Sequence, residues 1–161
     1  MSDLAAVESK PAPHSAEEAI EGLPSGFGSG MAGRIAFWIA FTFSLFQLWT
    51  AAYGTLPSQV VRAMHVGFLL LLGFVLFGNL VAKTKAGKVW FWSLGILGFL
   101  TGIYNWVYYN DLILRSGFHT PLDLTVATVM IVLVFEGARR LMGLPLTIIA
   151  AIFLAYCFFG Q

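Results

Sequence analysis

The chain has 161 residues, 58% of them hydrophobic and only 11% charged, with a formal net charge of +1 and a mean hydropathy of +0.82. A water-soluble domain of this composition would lack the polar surface to cover itself, which leaves the membrane class. Lys and Arg are scattered without a basic stripe, so nucleic acid is not an expected partner, and the single cysteine, Cys157, excludes an internal disulfide or a Cys-based metal cluster and is assigned to helix packing.

Residues 1–33 carry five acids and three prolines and lack any long apolar run. They are predicted to form a disordered tail, and because no apolar core follows a basic start, no secretory signal peptide is expected. Five apolar stretches follow, read against a bilayer core of about 30 Å that takes about 20 helical residues to cross. They run from Ile35 to Tyr53, Val66 to Ala82, Val89 to Tyr109, about Leu122 to Ala138, and Leu141 to Phe159. The last contains Pro145 one turn from its start, where the first-turn amides lack partners in any case. Period-two alternation is absent, which excludes barrel strands. The expected fold is therefore an all-α membrane protein of four to five transmembrane helices.

Charges between the spans orient it, because cytoplasmic loops retain Lys and Arg. Lys10, Arg34, Lys83, Lys85, Lys88, Arg139 and Arg140 fall on one side and only Arg62 and Arg115 on the other, a seven-to-two split that predicts a cytoplasmic N terminus. With five spans the C terminus lies outside; if the fifth segment were re-entrant, it would lie inside. Trp90 and Trp92 at one end of the third span, and Tyr104, Trp106, Tyr108 and Tyr109 at the other, read as interfacial anchors.

Ionisable groups at membrane depth are costly and are candidates for function. Glu136 lies three and four residues before Arg139 and Arg140, which puts acid and bases on one helical face and predicts an ion pair or a subunit contact; a relay of protons or sodium would want the carboxylate deeper and unpaired. His65 precedes the second span and lacks a second histidine at similar depth, so it is expected to hydrogen-bond at the interface rather than ligate haem. In the outer loop, Thr120 or Asp123 is placed to cap the fourth helix with Pro121 in its first turn, and Asp111 and Asp123 are placed to balance Arg62 and Arg115. Gly98 and Gly102, like Ala151 and Ala155, have the four-residue spacing that lets helix backbones approach. No phosphate-binding loop, catalytic triad or metal-ligand set stands in the sequence, so neither an enzyme nor a cofactor is expected.

Three stretches together resemble a known family. They are Phe46-Gln47-Leu48-Trp49-Thr50-Ala51-Ala52-Tyr53-Gly54 through Arg62, His65, Gly67 and Phe68; Leu114-Arg115-Ser116-Gly117 with Thr120-Pro121-Leu122-Asp123; and Phe135-Glu136-Gly137-Ala138-Arg139-Arg140-Leu141-Met142-Gly143 running into Ala155-Tyr156 and Phe159-Gly160. The chain over residues 35–161 resembles the small membrane subunit of TRAP transporters of the TAXI type, a region that usually begins a long fused permease, and the Glu-x-x-Arg-Arg-x-x-Gly block is the most specific part. The resemblance implies a non-catalytic scaffold in a bacterial inner membrane. Its partners are a large elevator-type membrane subunit and a periplasmic substrate-binding protein that delivers organic acids for ion-coupled symport. It assigns Glu136, Arg139 and Arg140 to the subunit interface or to structural ion pairs, and Arg62, Asp111, Arg115 and Asp123 to a docking face for the binding protein. Because the sequence stops at Gln161, where a fused permease would continue, the large partner is expected as a separate chain. The alternative expectation is a small homo-oligomeric transporter or channel that uses Glu136.

Overall fold

The computed structural model describes residues 31–54, 56–82 and 84–160. Among them the chain is helical, with no strand: α1 (Met31–Tyr53), α2 (Ser58–Val81), α3 (Lys85–Val107), the short α4 (Tyr109–Leu114), α5 (Pro121–Leu141) and α6 (Leu144–Phe159). Helices α1, α2, α3 and α5 are long and apolar enough to cross a membrane. Residues 1–30 of the expected disordered tail lie outside the described residues, whereas Met31 to Gly33 already belong to α1.

The centre is an antiparallel hairpin of α2 and α3 held by glycines. A side chain at Gly95 would stand 3.2 Å from the Leu71 carbonyl oxygen, and one at Gly102 would stand 3.0 Å from that of Ala63. At Gly98 it would lie 2.9 Å from Leu70 Cβ, and at Gly78, across the seam on α2, 2.7 Å from Phe91 Cβ. Lipid is as apolar as Leu, so burial drives no helix association here; close backbone approach and dispersion hold the pair together. The small-residue spacing at Gly98 and Gly102 therefore serves an internal contact, between α3 and α2.

Helix α5 packs on one side of this hairpin, where Leu133 joins Leu70, Phe74 and Phe91 in a buried cluster. Helix α1 packs on the other, laying Phe43 and Phe46 against Val60, Met64 and Phe68. The Phe43 and Phe68 rings stack with centroids 5.2 Å apart, and Phe68 meets Phe99 edge-on at 4.8 Å. Helix α6 turns back along α5 through Gly143, whose φ of +84° is open to glycine at little steric cost, and buries no residue of its own.

The element boundaries differ from the hydropathy reading at several helix ends. Helix α2 begins at Ser58, not Val66, so Arg62 and His65 are helical. Its 24 residues span about 36 Å at about 1.5 Å per residue, and the excess over the bilayer core is the polar first turns. The third span stops at Val107, and the chain continues through Tyr108 into α4, so Asn110 and Asp111 sit on a helix rather than a loop. Helix α6 has 16 residues, about 24 Å at about 1.5 Å per residue, which is shorter than the bilayer core.

Candidate functional site

Two polar clusters sit at opposite ends of the bundle, and each joins α5 to the central hairpin. At the end reached by Val107 and Pro121, Thr120 and Asp123 form a reciprocal cap on α5: Asp123 N donates to Thr120 Oγ1 at 3.2 Å, and Asp123 Oδ2 accepts from Thr120 N at 2.9 Å and from Thr120 Oγ1 at 2.7 Å. The other carboxylate oxygen accepts from Tyr104 Oη of α3 at 2.5 Å. Arg115 approaches with Nη1 3.9 Å from Asp123 Oδ2. Asp123 is 6% exposed, so this carboxylate is matched inside the protein.

The four residues read as an outer docking face are thus not equivalent. Arg115 and Asp123 are joined. Arg62 turns back on its own helix, donating from Nε to the Ser58 carbonyl at 3.3 Å and from Nη2 to Ser58 Oγ at 3.1 Å. Asp111 is exposed, and its carboxylate forms no ion pair among the described residues; it offers Arg115 its backbone carbonyl, at 3.3 Å from Nε. Solvent-facing charge at this end therefore comes from Arg62, Asp111 and the half-covered Arg115.

At the opposite end, Glu136 accepts from Arg139 Nε and Nη2, both at 3.1 Å, in the bidentate geometry that suits guanidinium and carboxylate. Arg140 Nε donates to the same carboxylate at 2.5 Å, and its Nη2 also pairs with it. The Arg140 guanidinium carbon stands 4.8 Å over the Phe91 ring centroid, which ties α5 to the start of α3. Both arginines lie in the last turn of α5, where the helix dipole favours cations.

Between α5 and α6 runs an open groove of about 590 Å³ whose walls include Phe135, Glu136, Arg139, Ala151 and Ala155. The Ala151–Ala155 stripe thus faces α5, and the ion-paired Glu136 borders the same groove.

Several contacts are invisible in hydropathy. Tyr104, taken as an interfacial anchor, is turned inward onto Asp123, and Tyr108 packs on it with ring centroids 4.8 Å apart. Gln47 Nε2 and His65 Nδ1 lie 2.5 Å apart and link α1 to α2, with the Phe43 ring edge-on to the imidazole at 5.0 Å. Thr101 donates to the Gly98 carbonyl at 2.7 Å and lies 2.9 Å from Met130 Sδ, a further link between α3 and α5. The sequence signal that reached furthest was Thr-Pro-Leu-Asp, a capping pattern followed by an apolar run; nothing in sequence pairs Tyr104 with Asp123. No group of three His, Cys, Asp or Glu gathers as a metal site among the described residues. No protein-family model, curated protein or solved structure matches the chain, so its function is argued from these residues and their geometry.

Proposed function

We propose that this chain is the small, non-catalytic membrane subunit of a tripartite TRAP-type importer of organic acids. It would lie in the inner membrane of a bacterium with its N terminus in the cytoplasm. The observation that carries the reading is α6. It is aliphatic or aromatic almost all round, has no fully buried residue, packs on α5, and leaves beside it the groove that Glu136 and Arg139 border. A hairpin arm of this kind has one face on its own protein and another free for a second membrane protein. The resemblance in the Glu136–Gly143 block supports the large transport subunit as that second protein. Arg62, Asp111 and Arg115 then face the periplasm and serve as the docking face for the substrate-binding protein, with Asp123 holding Arg115 in place.

The alternative, a homo-oligomeric transporter coupled through Glu136, finds less support, because both carboxylate oxygens of Glu136 already accept from guanidinium groups within one turn of helix. The test is purification in mild detergent with mass identification of co-purifying chains, followed by reconstitution. The scaffold reading expects a much larger membrane protein to accompany this chain, and uptake to need both together with a soluble binding protein. Uptake into vesicles by this chain alone would overturn it.

A further inference from the structure

Helices α1 and α3 both pack on α2 but meet each other little, and at the end bearing Lys88 they leave a cavity of about 460 Å³. Met31, Ala32 and Ile35 of α1 form one wall, Lys88 and Trp92 of α3 the other, and Asn79 of α2 lies between them. The lining is apolar over most of its surface; of its polar members Ser93 bonds back to the Val89 carbonyl at 2.9 Å, whereas Lys88 and Asn79 are unmatched. None of the lining residues is acidic, and none of the ion pairs among the described residues involves Lys88. The Asn79 amide Nδ2 is covered by protein and has no hydrogen-bond partner there. A buried amide donor without an acceptor is rare in folded proteins and calls for a partner. The Trp92 indole N–H adds a donor that has no accepting capacity of its own.

We infer that this cavity holds an anionic glycerophospholipid, with its phosphate at Lys88 and its acyl chain along Ile35 and Trp92. The depth fits, since Lys88 is in the first turn of α3, Met31 begins α1 and Asn79 is near the last turn of α2, all at one end of their helices. A Lys side chain at that level reaches the headgroup region while its stem stays in the apolar wall. The phosphate supplies the counter-charge and acceptors that the Lys88 end of the cavity lacks. A free phosphate would satisfy the donors and leave the apolar walls uncovered, so the lipid is the occupant. The site needs no assumption about which side of the membrane this end faces, and it stands independently of the importer reading.

Native mass spectrometry of the full chain, released from phosphatidylcholine nanodiscs doped with phosphatidylglycerol, tests it. The wild-type chain should retain phosphatidylglycerol in preference to phosphatidylcholine. Lys88→Gln should lower that retention about fivefold, the worth of one lysine near an anionic surface. Lys85→Gln removes the same charge one turn earlier, outside the cavity lining, and should leave retention close to wild type. Ile35→Trp, which fills the cavity without changing charge, should also lower it. Equal losses in Lys85→Gln and Lys88→Gln would mean general attraction to the surface and would overturn the site. So would competition by inorganic phosphate, which would make it a simple anion site. Raised retention on replacing Glu17, Glu18 and Glu21 by Gln would make the acidic leader the occupant and overturn the lipid reading too.

Discussion

Tyr104 on α3 donates its phenolic hydroxyl to Asp123 on α5 at 2.5 Å, and the same carboxylate caps its own helix through Thr120. A single buried anion therefore closes a helix end, fixes α5 against α3 and draws Arg115 of the connecting segment inward. Tyr104→Phe removes a donor and leaves a buried carboxylate short of one partner. It should destabilise the chain by about 1–3 kcal/mol in reversible detergent unfolding, the range for stranding a buried polar group. Asp123→Ala should cost more, because it also removes half of the cap, itself worth about 1 kcal/mol. Equal stability of wild type and Tyr104→Phe would show that the hydroxyl bond contributes nothing.

The glycine seam makes a second prediction with an internal control. Gly102 and Gly95 face backbone carbonyls of α2, which cannot move aside without parting the helices, whereas Gly73 faces only the end of the Leu141 side chain, at 3.2 Å. Gly102→Val should separate α2 from α3 and lower stability by at least about 1–3 kcal/mol, the usual range for overpacking a tight contact. Gly73→Ala should be near neutral or stabilising, since the leucine can swing and alanine gains about 1 kcal/mol of helix propensity over glycine. The two variants compared by the same unfolding assay decide whether the seam is as tight as the geometry indicates.

Glu136 binds both arginines, and removing its charge leaves two guanidinium groups without a counter-charge and with one accepting oxygen fewer on the face next to the α5–α6 groove. On the proposed scaffold reading, Glu136→Gln should reduce the yield of the co-purifying larger membrane protein severalfold while leaving uptake per assembled complex unchanged. Full assembly combined with loss of ion-coupled uptake would reverse the assignment and make Glu136 a coupling group. Arg140→Lys should weaken α5 against α3 despite keeping the charge, because an ammonium provides neither the forked donor pair nor the planar stack on Phe91.

Cys157 is the only cysteine, is exposed, and lies two residues before the end of α6, so it reports where that helix leads. In sealed inverted and right-side-out vesicles, a membrane-impermeant maleimide should label Cys157 from the side opposite the Lys85 end. A Cys157→Ser chain carrying Lys85→Cys should label from the other side. Labelling of both positions from one side would mean that α6 does not cross.

The four long apolar helices and the charge bias between their ends were legible from sequence, because hydropathy and the length of a helix turn are local properties; whether a fifth segment spans is left open by them. The cap at Thr120 was legible for the same reason: Ser or Thr followed three residues later by an acid is a short-range signal. Helix starts were less so. Residues 58–65 are polar enough to read as loop, but a helix entering lipid keeps its backbone bonds going past the apolar core, since breaking them costs more than carrying Arg62 in the first turns.

Gly98 and Gly102 illustrate the limit. Their spacing in the sequence permits a helix to come close there; that the partner is α2, through Ala63 and Leu70, depended on how the hairpin folded back. Likewise the sequence determined that Glu136 would have Arg139 and Arg140 within reach on its own helix. Only the tertiary structure decided that Arg140 also stacks on Phe91, that Tyr104 turns inward to Asp123, and that Asn79 and Lys88 share a cavity. These are contacts between residues far apart in the chain, selected by helix crossing and rotation, and no periodicity within one segment encodes them.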